Sequence, residues 1–267
     1  MRIFIADSDG GYQQPSRILG RFVEQVARAT NATTTVRVQW PAPGVVNPRR
    51  SHTWESAAAA GVADLNRLVH LHPSDDVVLI GVCSGARVIY DWMDAHPDSV
   101  DRVRAVGMVG DPFRPHDRWL VGTPDPGGQG VAGRRLGPVP ERTFWVCVPG
   151  DPLSGLEPDS LLCDAVRSST LAPDQVYAQL LDGISGSLVR LATRLHVGRH
   201  PVRWTPALRR RLQEARAALL RFQSLDYAAD YESRADGPSP MDRLAAVIAA
   251  ETGTGAGGAG GPPQAAA

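Results

Sequence analysis

The segment Gly81-Val82-Cys83-Ser84-Gly85 restricts the possible folds of this chain more than any other feature. It follows the apolar run from Val77 to Ile80 and precedes a helical stretch from Ala86 to Met93. A strand, a tight turn between two glycines and a helix are the context of the G-x-S-x-G nucleophile elbow, here with cysteine in place of serine. The sequence therefore predicts that Cys83 is lifted above a sheet edge and that Ser84 is a poor substitute nucleophile. The simpler alternative is a buried cysteine before an ordinary helix.

The composition excludes several classes of function. The net charge is zero over 267 residues, so no overall field attracts this chain to nucleic acid. The first residues turn polar too soon for a signal peptide, and no apolar run approaches the roughly 20 residues of a membrane span. Three cysteines form no disulfide framework, and no cluster has metal-ligand spacing. We expect a protein made in the cytoplasm, with no nucleic-acid partner, no membrane span, no metal and no other cofactor.

The hydrophobic pattern alternates between strands and helices in the first 150 residues. Strands are predicted at 3–5, 34–40, 77–80, 103–109 and 143–148, with helices at 16–29, 53–70 and 86–93. This alternation predicts an α/β fold, a mainly parallel sheet with helices on both faces. Residues 111–142 are rich in proline and glycine and long for a loop, which is typical of functional loops.

Beyond Asp151 the pattern is helical only, with predicted helices at 157–168, 173–196 and 205–224. We interpret this block, about 155–225, as a helical insert in a single domain that covers residues 1–252. Residues 253–267 are a glycine, alanine and proline tail that we expect to be disordered.

A nucleophile at an elbow needs an oxyanion hole, a general base and an acid that orients the base. The backbone N–H of Ser84 is one expected oxyanion donor, and Ser8, in the turn after the first strand, is the other. An ordinary polar turn explains Ser8 equally well. Asp151 and Asp111 both follow strands at the carboxyl edge, where such folds carry their sites. Asp151 is favoured, because the order nucleophile, acid, histidine is the one this elbow uses; Asp111 stays open.

Several motifs occur in a fixed order along the chain. They are Trp40-Pro41-Ala42-Pro43, the elbow followed by Ala86, Gly110-Asp111-Pro112-Phe113-Arg114, a glycine-rich loop at Gly130 and Gly133 to Arg135, and Gly150-Asp151-Pro152. In this order the chain resembles the lysin B esterases of phages that infect mycobacteria, which are cutinase-like α/β-hydrolases, over about residues 1–250. The resemblance implies that fold, with release to the cell envelope and a lipid or acyl ester of that envelope as partner. Esterases of this class cleave the ester that joins mycolic acids to arabinogalactan.

The nucleophile is the first departure from this family, which has serine where this chain has Cys83. The segment also resembles the G-x-C-x-G motif of the dienelactone hydrolase family, in which cysteine works in a Cys-His-Asp triad. That likeness implies a third possibility, a cytosolic hydrolase of small lactones. A thiolate is a strong nucleophile, but a histidine or another positive group must keep it deprotonated.

The histidine is the second departure. The family's histidine follows the helical insert, whereas residues 225–231 here carry aspartate and no histidine occurs after His200. His200 and His196 are the histidines that follow Asp151 in chain order, so the expected triad is Cys83, Asp151 and His200. The competing hypothesis is a catalytically degenerate hydrolase that acts as an envelope-binding or virion-structural protein.

Overall fold

The structure is a computed structural model, and it describes residues 1–8, 17–30, 34–41, 52–133, 135, 137–182, 205–224, 226–234 and 237–253. The strands are β1 Arg2–Ala6, β2 Thr34–Arg37, β3 Val77–Val82, β4 Val103–Val109 and β5 Thr143–Val146. Between or after them lie helices α1 Arg17–Ala29, α2 Trp54–His70, α3 Ala86–Ala95, α4 Pro97–Val100, α5 Leu161–Arg167, α6 Pro173–Leu181, α7 Pro206–Ser224, α8 Tyr227–Tyr231 and α9 Pro240–Gly253. Cys83–Gly85 forms one turn of 3₁₀ helix between β3 and α3.

The five strands form one parallel sheet in the order β2-β1-β3-β4-β5. β3 lies at its centre, and its side chains alternate between two apolar clusters. Val77 and Leu79 join the cluster on one face, whereas Val78, Ile80 and Val82 join the cluster on the other. A strand that is buried on both faces has a continuous apolar sequence, and the sequence therefore predicted this strand. The predicted α/β class is confirmed.

Helices cover both faces of the sheet. Leu65 of α2 and Trp92 of α3 pack in the first cluster, and Phe22 of α1 packs in the second with Leu244 and Ile248 of α9. No helix was predicted at α9, although its buried residues Met241, Leu244 and Ile248 recur at helical spacing.

Two strands are shorter than predicted. β2 ends at Arg37 instead of residue 40, because its partner β1 ends at Ala6 and their register closes with Ile5 opposite Arg37. One further hydrogen bond, from Val38 N to Ile5 O (2.8 Å), continues the ladder beyond β2. β5 ends at Val146 instead of residue 148.

Helices α5, α6 and α7 surround a third apolar cluster, which includes Leu162, Tyr177 and Leu219. Cys83 packs against both this cluster and the second one. The helical block therefore lies at the carboxyl edge of the sheet, beside the elbow. The predicted helix 173–196 begins as α6, but its part beyond residue 182 lies outside the described residues, as does the predicted tail after residue 253.

Candidate functional site

The turn after β3 has the backbone of a nucleophile elbow. Cys83 has φ = 48° and is the one non-glycine residue with positive φ in the described part of the chain. Such a conformation stores about 1–3 kcal/mol of strain and is found mainly at functional sites. A Cβ atom on Gly85 would lie 2.1 Å from Ala6 O, and one on Gly81 would lie 2.8 Å from Ala86 Cα. The flanking glycines are therefore required by close backbone approach, as the motif predicted.

Three side chains meet at Gly110, the residue after β4, which has φ = 59°. A Cβ atom there would lie 3.4 Å from Cys83 Sγ, 3.4 Å from Asp151 Oδ2 and 3.3 Å from Tyr231 Oη. No two of these atoms are therefore more than about 7 Å apart. The structure brings Cys83 and Asp151 together at the carboxyl edge, and it adds Tyr231, which was not predicted.

Asp151 is fully buried and held by several donors. Its Oδ1 accepts a hydrogen bond from Leu153 N (2.9 Å), and its Oδ2 accepts from Ser154 Oγ (2.7 Å) and Tyr231 Oη (2.6 Å). In a nucleophile–base–acid triad, the group that donates to the acid from beside the nucleophile is a histidine. Here Tyr231 makes that hydrogen bond.

Tyr231 cannot replace an imidazole as a general base near neutral pH. Burial and the charge of Asp151 raise the pKa of its hydroxyl well above 10. A neutral phenol has no basic nitrogen, and its one proton is already donated to Asp151. The tyrosine therefore orients the acid without supplying a base for the thiol.

The surroundings of Cys83 also oppose a thiolate. Burial raises the pKa of the thiol well above its usual range, and the carboxylates of Asp151, Asp174, Asp7 and Asp111 raise it further. Reactive cysteines have the opposite setting, with positive neighbours that lower the thiol pKa.

The two predicted oxyanion residues lie near the elbow, and their roles remain predictions. Ser84 is buried, and its hydroxyl donates to Asp174 Oδ1 (2.7 Å). Ser8 follows Asp7, a buried carboxylate that pairs with Arg37 Nη2 (3.0 Å). A Cβ atom on Gly85 would lie 3.2 Å from the carbonyl carbon of Asp7, so the turn that carries Ser8 passes beside the elbow.

The predicted base, His200, and its alternative His196 lie outside the described residues, so this assignment also remains a prediction. Three described histidines make contacts elsewhere. His70 Nδ1 is 2.8 Å from Asn66 O, His116 Nδ1 is 2.9 Å from Gly128 O, and the ring of His96 lies 5.8 Å from that of Trp92.

Asp111, the other candidate acid, belongs to a buried aromatic network. Its Oδ2 accepts from Tyr90 Oη (2.6 Å) and Trp145 Nε1 (3.0 Å), and its Oδ1 accepts from Phe113 N (2.8 Å). Burial raises the pKa of this carboxyl to about 6. Its hydrogen bonds hold it between α3 and β5, so the geometry favours Asp151 as the acid that faces Cys83.

Two residues that shape this site were not predicted from the sequence. Tyr231 carried no signal beyond its position after the helical block. Arg114 was noted in a motif without a role; it is buried, and its guanidinium donates to Ser154 O (2.6 Å), which fixes the serine that binds Asp151. Among the described residues, no cluster of histidine, cysteine, aspartate and glutamate could hold a metal ion. No helix in the described ranges is long and apolar enough to cross a membrane.

Comparison with known proteins supports the fold. No family model and no curated protein matches the sequence. Among solved structures, the chain is similar to lysin B from Mycobacteriophage D29, with a TM-score of 0.50, 16% identity, and coverage of 92% of this chain and 96% of that one. It is also similar to the catalytic core domain of acetyl xylan esterase from Trichoderma reesei (TM-score 0.44, 19% identity, 69% and 97% coverage) and to a cutinase-like protein from Cryptococcus sp. (0.42, 21%, 58% and 78%). The likeness to lysin B extends over nearly all of both chains and shows that the two proteins share an α/β fold.

Proposed function

We propose that this chain is a catalytically degenerate member of the esterase fold that binds an acyl ester of the actinobacterial cell envelope at Cys83 and does not turn it over efficiently. The observation that carries this proposal is the hydrogen bond from Tyr231 to Asp151, made beside Cys83 where a triad would have its histidine. The high pKa of the Cys83 thiol supports it, because an un-ionised thiol is a weak nucleophile.

The size of the effect follows from ordinary pKa values. Moving a proton from a thiol (about 8.5) to a histidine (about 6.5) costs about 3 kcal/mol, whereas moving it through Tyr231 to a carboxylate (about 3.9) costs about 6 kcal/mol. The extra 3 kcal/mol or so slows the reaction at least about a hundredfold. The raised pKa of Cys83 adds to this penalty.

The apolar surroundings of Cys83 favour an acyl ligand over a purely polar one. The thiol lies between the second and third apolar clusters. Leu153 belongs to the third cluster, and Leu156 and Phe222 pack against it. Burying a hydrocarbon chain there is favourable by about 0.8 kcal/mol per CH₂. The resemblance to lysin B esterases makes the mycolyl ester of arabinogalactan the natural candidate.

Protection of Cys83 tests the binding. The full-length protein is alkylated with iodoacetamide at about pH 9 in the presence of an octanoyl ester of glucose, and modification of each cysteine is followed by mass spectrometry. We expect slower alkylation of Cys83, with no change for buried Cys163 as the internal control, and no protection by glucose alone. Equal alkylation of Cys83 with and without the ester would contradict the proposal.

A second candidate is the active esterase, and the strained backbone of Cys83 next to Asp151 favours it. In that reaction Cys83 Sγ attacks the ester carbonyl, the alcohol leaves with a proton, and water hydrolyses the thioester. Asp151 would orient His200 as the base, and the backbone N–H of Ser84 with Ser8 would bind the oxyanion. Its signature is esterase activity that disappears in His200→Asn but persists in His196→Asn.

A further inference from the structure

A cavity of about 530 Å³ lies beside the candidate site. Its lining includes Val148 and Pro149, which directly precede Gly150 and Asp151 in the chain. It also includes Asp230, which directly precedes Tyr231. We infer that this cavity binds an amphiphilic anion, a carboxylate or phosphate head on an apolar body. This inference rests on the lining of the cavity alone and does not depend on the proposed function.

The charge of the lining favours an anion. The cavity presents two guanidinium groups, Arg221 and Arg243, against one carboxylate, Asp230. Arg221 pairs with Asp230 at 3.4 Å. The Arg243 side chain donates from Nε to Pro238 O (3.3 Å), and it forms no ion pair with a carboxylate of the described residues. Among the described residues, one positive charge at the cavity therefore has no carboxylate in an ion pair with it.

Two glycines, which have no side chains, leave room for the Arg243 guanidinium at the cavity wall. Gly122 (φ = 84°) and Gly237 (φ = 116°) both line the cavity in a conformation that other residues rarely adopt. A Cβ atom on Gly122 would lie 2.7 Å from Arg243 Nη1, and one on Gly237 would lie 3.9 Å from Nη2. Any side chain at Gly122 would therefore displace this guanidinium from the wall.

The remaining walls are mainly apolar. They consist of one valine and four prolines, with the hydroxyls of Thr123 and Ser233 between them; the apolar residues are Pro124, Val148, Pro149, Pro238 and Pro240. Prolines form a rigid apolar surface, which suits a hydrocarbon body. A guanidinium binds either a carboxylate or a phosphate through two parallel hydrogen bonds, so both heads share the same recognition chemistry.

Calorimetric titration of the full-length protein with octyl phosphate and with octanoate tests this site. Octanol, which lacks the charge, and inorganic phosphate, which lacks the apolar body, are the matched ligands. Arg243→Gln removes the positive charge at the cavity wall. The control variant is Arg104→Gln. Arg104 lies in β4, near the amino end of the sheet, and pairs with Asp76 (3.0 Å).

We expect one octyl phosphate or octanoate per chain, with affinity lowered about tenfold or more in Arg243→Gln and unchanged in Arg104→Gln. Octanol and inorganic phosphate should bind more weakly than the amphiphile. The head that binds more tightly identifies the class of ligand. No binding of either amphiphile, equal binding of octanol, or unchanged affinity in an Arg243→Gln protein of wild-type melting temperature would overturn the inference. Cys83→Ala should bind like the wild type, so a failure of the proposed function leaves this result unaffected.

Discussion

Replacing Asp151 by asparagine is expected to make the Cys83 thiol more reactive. The Asp151 carboxylate and the thiol sulfur are at most about 7 Å apart. At an effective dielectric constant of about 20, two unit charges at that distance interact by about 2.4 kcal/mol. Removing the carboxylate should therefore lower the thiol pKa and raise the thiolate fraction about 50-fold at a pH well below that pKa.

Asparagine can keep the hydrogen bonds of Asp151, so the effect should be electrostatic. Its carbonyl oxygen can accept from Leu153 N, and its amide can donate to the oxygens of Ser154 and Tyr231, which accept as well as donate. Equal melting temperatures of wild type and variant would establish that the fold is intact.

The rate of iodoacetamide modification of Cys83, followed by mass spectrometry from about pH 7 to pH 10, measures the change. Asp151→Asn should react faster at each pH below the wild-type thiol pKa, and Asp98→Asn, an exposed control, should react like the wild type. In a working Cys-His-Asp triad the same change removes the partner of the imidazolium and slows the thiol. A slower reaction in Asp151→Asn would therefore refute the reasoning.

Three further predictions concern stability. Burial raises the pKa of Asp111 from 3.8 to about 6, so ionisation of this carboxyl destabilises the fold as pH rises. Between about pH 4.5 and pH 8, the free energy of unfolding of the wild type, measured in urea, should fall by about 2 kcal/mol relative to that of Asp111→Asn. A difference that stays constant with pH would contradict this. Asp242→Asn should destabilise the protein by about 2 kcal/mol near pH 7, because Asp242 Oδ2 accepts from Ser239 N (3.1 Å) and pairs with Arg234 Nη2 (2.7 Å), and an amide nitrogen in its place can do neither; an unchanged urea midpoint would contradict it. Gly85→Ala should prevent folding or lower the unfolding free energy by more than about 3 kcal/mol, since its Cβ would lie 2.1 Å from a carbonyl oxygen. Gly253→Ala, where the Cβ would meet open space, should be neutral or stabilising. Thermal melts followed by circular dichroism compare both variants with the wild type.

The sequence was sufficient to predict the elements near the site, because each had a strong local signal. β3 is a continuous apolar run between turn residues. The glycines on either side of Cys83 indicate positions where neighbouring backbone lies too close for a side chain. Asp151 could be placed at the carboxyl edge because it follows an apolar strand. These inferences need only the neighbours of each residue along the chain.

Tyr231 could not be predicted, because its role depends on packing between segments 80 residues apart in sequence. The sequence indicated that residues 225–231 lack the expected histidine, but it did not show which side chain reaches Asp151. The four carboxylates that raise the pKa of Cys83 come from separate parts of the chain, and only the fold brings them near one thiol. The electrostatics of this site is therefore a property of the tertiary structure.

Hydrolysis of p-nitrophenyl butyrate by wild type, Cys83→Ala and Cys83→Ser tests the central claim most directly. If Tyr231 stands where the base would be, the three proteins should hydrolyse the ester at the same background rate. Wild-type turnover well above that of Cys83→Ala would show that Cys83 is a working nucleophile and would contradict the account.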